Sequence, residues 1–203
     1  MYFKYMDNKY LYGLYLHYRA LFNTYSDMYT AYLYADIDND LTKSIAMLIP
    51  RDEIKQDNDI VYSERILKET IFYGEEHGII DRINKYVYNK IVGKIVVYDF
   101  STINILVNKA KLYDAKNLYK FLTVPIIFDL SYPVSLYMYK KENELKVYNI
   151  DEAISNILKE RNEEQDVVKR SIKYVNYIKR IYDVLKEEFM NKEMASLFIN
   201  ARL

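Results

Sequence analysis

The sequence predicts an α+β domain in which a small central sheet is flanked by helices. Three observations carry that reading. Ile95-Val96-Val97-Tyr98 is a β-branched run of buried character, residues 134–150 alternate in polarity, and apolar residues recur at helical spacing toward both ends.

Taken in order, Tyr10, Leu14, Tyr18, Leu21, Phe22 and Tyr25 mark a helix from Lys9 to Tyr25. Tyr12, Tyr15 and Leu16 fall on its other faces, so this Tyr-rich helix must be buried by its own chain or by a partner. Ser26 can cap a second short element through Tyr34, and Asp36-Ile37-Asp38-Asn39-Asp40 is a polar break. The expectation is one domain over 1–203, mostly helical in its N-terminal third. Residues 1–50 would form a helical subdomain and the charged segment 51–59 an exposed loop after Pro50.

Ser63 precedes a helix with Ile66, Leu67, Thr70 and Ile71, and Gly74 and Gly78 bracket its end. A further helix carries Ile79, Ile83, Tyr86, Val87 and Ile91 and stops at Gly93. After the strand at 94–100, Ser101 or Thr102 caps a helix to Leu112, which restarts at Asp114 and runs to Leu122. Residues 124–128 read as a strand with Pro125 near its edge. Val134, Leu136 and Met138 alternate with Ser135, Tyr137 and Tyr139, and 144–150 alternate likewise across the turn Lys141-Glu142-Asn143. That pattern predicts a β-hairpin over about 134–150. Asp151 is a candidate cap for a helix over 152–160. A long C-terminal helix over about 165–190 buries Val168, Ile172, Val175, Tyr182, Leu185 and Phe189.

Composition narrows the chemistry. Lys+Arg 29 balance Asp+Glu 29, so there is no global basic excess for duplex binding. The absence of cysteine removes thiolate catalysis, disulfides and cysteine metal sites. With only two histidines, a metal would be a hard cation held mainly on carboxylates. No apolar run is long enough to span a bilayer and no secretory leader is visible. The expectation is a cytoplasmic protein without a membrane partner. The bias toward Tyr, Ile, Lys and Asn, with Trp absent, resembles proteins of viruses that infect Sulfolobus-type archaea, for which the location would be the host cytoplasm.

Phosphate-loop, nucleophile-elbow and metallopeptidase patterns are all missing. What remains is Gly74-Glu75-Glu76-His77 at a helix junction, then Asp129 at a strand, then Asp151, then Tyr174 and Tyr177 on the last helix. This order, over about 60–185, resembles the RecB-like branch of the PD-(D/E)XK nuclease superfamily, the CRISPR-associated exonuclease type. The resemblance implies a metal-dependent nuclease with Asp129 and Asp151 catalytic and with His77, Asp129 and Asp151 holding Mg or Mn. The family's acidic-x-Lys triplet has no well-placed match, since Glu144-Leu145-Lys146 would fall at the hairpin tip. An altered or inactive site is therefore implied.

Each candidate also has a plain structural reading. His77 is a helix-end polar residue, Asp129 a turn residue and Asp151 a helix cap. Lys173, Tyr174, Tyr177, Lys179 and Arg180 read either as a stripe for stacking and binding nucleic acid or as core and surface of a helix. Two functions follow as expectations. One is a nucleic-acid-processing or nucleic-acid-binding protein. The other is a non-enzymatic interaction factor, such as a viral protein acting on a host or anti-defence target, with a protein partner or a second copy on the N-terminal helix.

Overall fold

The computed structural model describes residues 8–57, 60–142, 145–191, 193–194 and 196. The chain is α+β. Helix α1 (Asn8–Asn23) is followed by three strands, β1 (Thr30–Asp38), β2 (Leu41–Asp57) and β3 (Ile60–Tyr73). Then come α2 (Glu76–Tyr86), β4 (Lys94–Val97), α3 (Phe100–Leu112), α4 (Lys116–Thr123) and β5 (Ile126–Asp129). The chain ends with α5 (Ser131–Glu142), the short α6 (Ile150–Ala153), which continues into a π turn, and the long α7 (Val167–Met190).

The strands form one five-stranded sheet in the order β3-β2-β1-β4-β5. β1, β2 and β3 make an antiparallel meander, whereas β4 and β5 run parallel to β1. Alternate residues enter two cores. Tyr32, Ala46, Leu48, Val96 and Phe128 pack with α1, α5, α6 and α7 on one face. Ala31, Leu33, Ile45, Met47, Ile95 and Val97 pack with α2, α3 and α4 on the other. The result is a helix–sheet–helix sandwich in which β4 is buried along its whole length, as a covered parallel strand requires.

The structure revises several sequence expectations. The N-terminal third is not a helical subdomain, because 30–38 and 41–57 are strands. β1 is apolar on both faces and so lacks the alternation that marks a half-exposed strand. The polar break is a two-residue hairpin turn, with Asn39 and Asp40 both at positive φ. The charged segment 51–57 is strand, in a ribbon exposed on both sides, and 63–73 is strand rather than helix. The region 134–142 is helix, not the first arm of a hairpin, and 145–149 are irregular. Val134, Ser135, Leu136, Tyr137 and Met138 are all buried, so the alternation there carried no information about faces. Pro133 sits in the first turn of α5, where a missing N–H costs nothing. Among the described residues no helix is long and apolar enough to cross a membrane.

Candidate functional site

The three parallel strands β1, β4 and β5 end on the same edge of the sheet, beside the point where pairing changes from parallel to antiparallel. In open sheets with helices on both faces, that edge is where ligand crevices form. A cavity of about 660 Å³ opens there, and its walls include Tyr34, Tyr98, Asp99, Phe100, Asp129 and Tyr132.

Two carboxylates reach it by the same local device. Asp99 follows β4 and accepts a hydrogen bond from the Ser101 amide at 2.8 Å, capping α3. Asp129 ends β5 and accepts from the Ser131 amide at 2.8 Å and the Ser131 hydroxyl at 2.7 Å. Its second oxygen accepts from the Phe100 amide at 3.0 Å, so one side chain ties the starts of α3 and α5 together. Burial raises the Asp129 carboxyl above its ordinary value. The bonds from Ser131 and Phe100 oppose that shift, and the neighbouring Asp99 charge adds to it.

The aromatic wall is equally tied down. Tyr98 donates across the cavity to the Tyr148 carbonyl at 2.8 Å and the Asn149 carbonyl at 3.1 Å. Asn149 begins α6 in a reciprocal capping box with Glu152, which also lines the cavity. Phe100 and Tyr132 remain 44% and 45% exposed at the rim. Asp36, two residues before the end of β1, pairs with Arg170 at 2.5 Å.

Of the residues singled out in the sequence, only Asp129 lies in this cleft. Asp151 does not cap its helix, since Asn149 does. It accepts the Tyr174 hydroxyl at 2.6 Å, one position before the cavity-lining Glu152. His77 sits on α2, in the opposite helical layer, with its ring edge-on to Tyr113 at 5.3 Å. Its neighbour Glu76 accepts from the Thr42 amide, Lys109 and Tyr113. The set His77, Asp129 and Asp151 is therefore not assembled. Among the described residues no group of three or more His, Asp and Glu side chains is arranged to hold a metal ion.

The stripe on α7 is committed internally as well. Tyr174 is buried and stacks on Tyr34 at 4.6 Å. Lys173 pairs with Glu164, Lys179 with Asp183, and Arg180 makes a two-pronged contact to Glu160, beside Tyr177. On α1, Leu11, Tyr15, Tyr18 and Phe22 are buried in the chain's own core, leaving Tyr10 and Leu16 outward. The apolar side expected to meet a partner is thus covered by the chain itself.

No protein-family model matches the sequence, and no curated protein matches it. The functional reading therefore rests on the cleft. Asp99, Phe100, Asn149 and Glu152 were not picked out from the sequence, yet a signal was present. Val96-Val97-Tyr98-Asp99-Phe100-Ser101 and Ile126-Ile127-Phe128-Asp129-Leu130-Ser131 share one pattern: two aliphatics, an aromatic, Asp, an apolar residue, Ser. In each copy a strand leads into an Asp whose side chain accepts from the backbone amide of the Ser two residues on, at the start of the next helix.

Proposed function

We propose that the chain binds and processes nucleic acid at this cleft, with a divalent cation shared between Asp99, Asp129 and phosphate oxygens of the substrate. The carrying observation is the carboxylate pair at the ends of adjacent parallel strands, close enough for the charge of one to raise the pKa of the other. A magnesium site of this type needs only one or two protein carboxylates, because substrate phosphates and water complete its octahedron. When bound, such an ion polarises a phosphoryl oxygen and activates water. Exposed Phe100 and Tyr132 supply faces on which bases of an unpaired strand can stack. The acidic lining would repel phosphate without the cation, so binding itself is expected to depend on the metal.

The test is binding and cleavage of labelled single-stranded and duplex DNA and RNA, with and without Mg or Mn, comparing wild type with Asp99→Asn. The amide keeps the cap oxygen for Ser101 and removes the charge. Loss of metal-dependent binding or cleavage in Asp99→Asn supports the proposal. Activity unchanged by that substitution, or a folded wild type that neither binds nor cleaves, refutes it. The second outcome would favour a non-enzymatic interaction factor. The observation on that side is that both Asp129 oxygens already serve as helix caps.

A further inference from the structure

β3 is the terminal strand of the sheet and runs from Ile60 to Tyr73, pairing with β2 on one side. Among the described residues nothing pairs with its other edge. β1 accompanies β2 only as far as Leu48, so beyond Ile49 the β2–β3 hairpin continues as a two-stranded ribbon. A lone ribbon is marginal in water, and an open edge of this length is a template for another strand. Ile54, Val61 and Tyr62 are exposed on it at 81%, 65% and 46%.

The charges on this edge are unbalanced in a particular way. Glu53 and Glu64 face each other directly across the ribbon, and Lys55 pairs with Glu64. Like charges directly opposite are unfavourable, so one negative charge is left over. Lys68, on the same face as Glu64 and opposite the apolar Ile49, forms no ion pair among the described residues. The anion without an ion pair among the described residues is Glu53 of β2, directly across from Glu64, and β3 itself carries Glu64 and the uncommitted Lys68 four residues apart.

We propose that β3 is a self-recognition edge, pairing antiparallel with β3 of a second copy about a two-fold axis at Ile66. In that register Glu64 faces Lys68 of the second copy, twice by symmetry. Tyr62 faces Thr70 and Val61 faces Ile71, and the same sheet face continues across both copies. A register centred one residue earlier opposes Arg65 to itself, and centres at Glu64 or Lys68 oppose like charges. A centre at Leu67 opposes Arg65 to Glu69, but Arg65 already pairs with Asp52 and Glu69 accepts from Asn176, so the register at Ile66 is the one that gives Lys68 a partner. The zero net charge of the chain adds no long-range repulsion between copies. This inference stands independently of the nucleic-acid reading.

The experiment is sedimentation velocity on the full chain across micromolar to millimolar concentration, for wild type, Lys68→Glu and the double variant Glu64→Lys/Lys68→Glu. Circular dichroism confirms that each is folded. The wild type should dimerise reversibly. Lys68→Glu, which places Glu opposite Glu at both symmetric sites, should raise the dissociation constant roughly tenfold or more. The double variant exchanges the two signs, keeps their complementarity and should restore the dimer. A wild type that stays monomeric throughout overturns the proposal. So does a Lys68→Glu variant that dimerises like wild type, or a double variant no better than the single.

Discussion

Lys94 should make the stability of this protein rise with pH just above neutrality. The residue opens β4 and is 0% exposed. Its amine donates to the Leu21 carbonyl at 3.1 Å, the Phe22 carbonyl at 3.5 Å and the Tyr182 hydroxyl at 2.7 Å. It therefore closes the C-terminal end of α1, where a cation is favoured, and lies over the rings of Phe128 and Tyr182. Burial still dominates. It lowers the amine to about 8, nearby Lys186 adds to that, and Asp27 opposes it. Between about pH 8 and the ordinary lysine value, the unfolded chain holds a proton that the folded chain has released. Stability then increases with pH, by about 1 kcal/mol between pH 7 and pH 9.

Tyrosines act in the opposite sense at higher pH. Burial pushes Tyr18, Tyr32, Tyr34, Tyr98, Tyr174 and Tyr182 well above the ordinary phenol value. The unfolded chain ionises them first, which costs folding little at pH 9 and progressively more as pH approaches and passes the ordinary phenol value. Stability should therefore rise above neutral pH, pass through a maximum below the ordinary phenol value and fall steeply beyond it. Urea midpoints followed by circular dichroism across this range measure the curve, with Lys94→Met as the control. The variant should lose the rise and keep the fall. A wild type flat or declining between pH 7 and pH 9, or the same rise in Lys94→Met, would show this account of the buried amine to be wrong.

Three further outcomes follow from particular contacts. Asp129→Ala removes the tie between α3 and α5 and should cost about 2–4 kcal/mol in urea denaturation, against under about 1 for Asp99→Asn. Gly93→Ala places a methyl 2.7 Å from the Tyr25 ring, at a residue whose amide and carbonyl bridge to Tyr29 and Ile126. A loss of about 1–3 kcal/mol is expected, and an unchanged midpoint would mean that the Tyr25 ring moves aside readily. Ser44 and Ser171 share a buried hydroxyl pair at 2.7 Å. Either alanine alone should cost about 1–2 kcal/mol, and the double alanine less than the two together, as a double-mutant cycle would show.

Where one physical signal dominated, the sequence was readable. The helices at 100–112 and 167–190 were legible because burial on a fixed side imposes a period, and the strands at 95–98 and near 126 because short aliphatic, largely β-branched runs mark a strand even without alternation. Reading failed where both sides of an element are alike and no such run marks it. β1 is buried on both faces, the outer ribbon is exposed on both, and α5 is buried nearly all round. In each of them polarity no longer reports the backbone period.

By itself, the sequence determined the α+β class and, with no cysteine in the chain, the absence of thiol chemistry. Those conclusions depend on composition and local periodicity alone. Which carboxylates meet was decided by tertiary structure. Asp99 and Asp129 lie thirty positions apart in the chain and are joined because β4 and β5 pair in parallel, whereas His77 is carried into the other helical layer. Strand order and the packing of each helix on one face or the other are long-range outcomes of burying two apolar surfaces at once, and no local pattern in the chain encodes them.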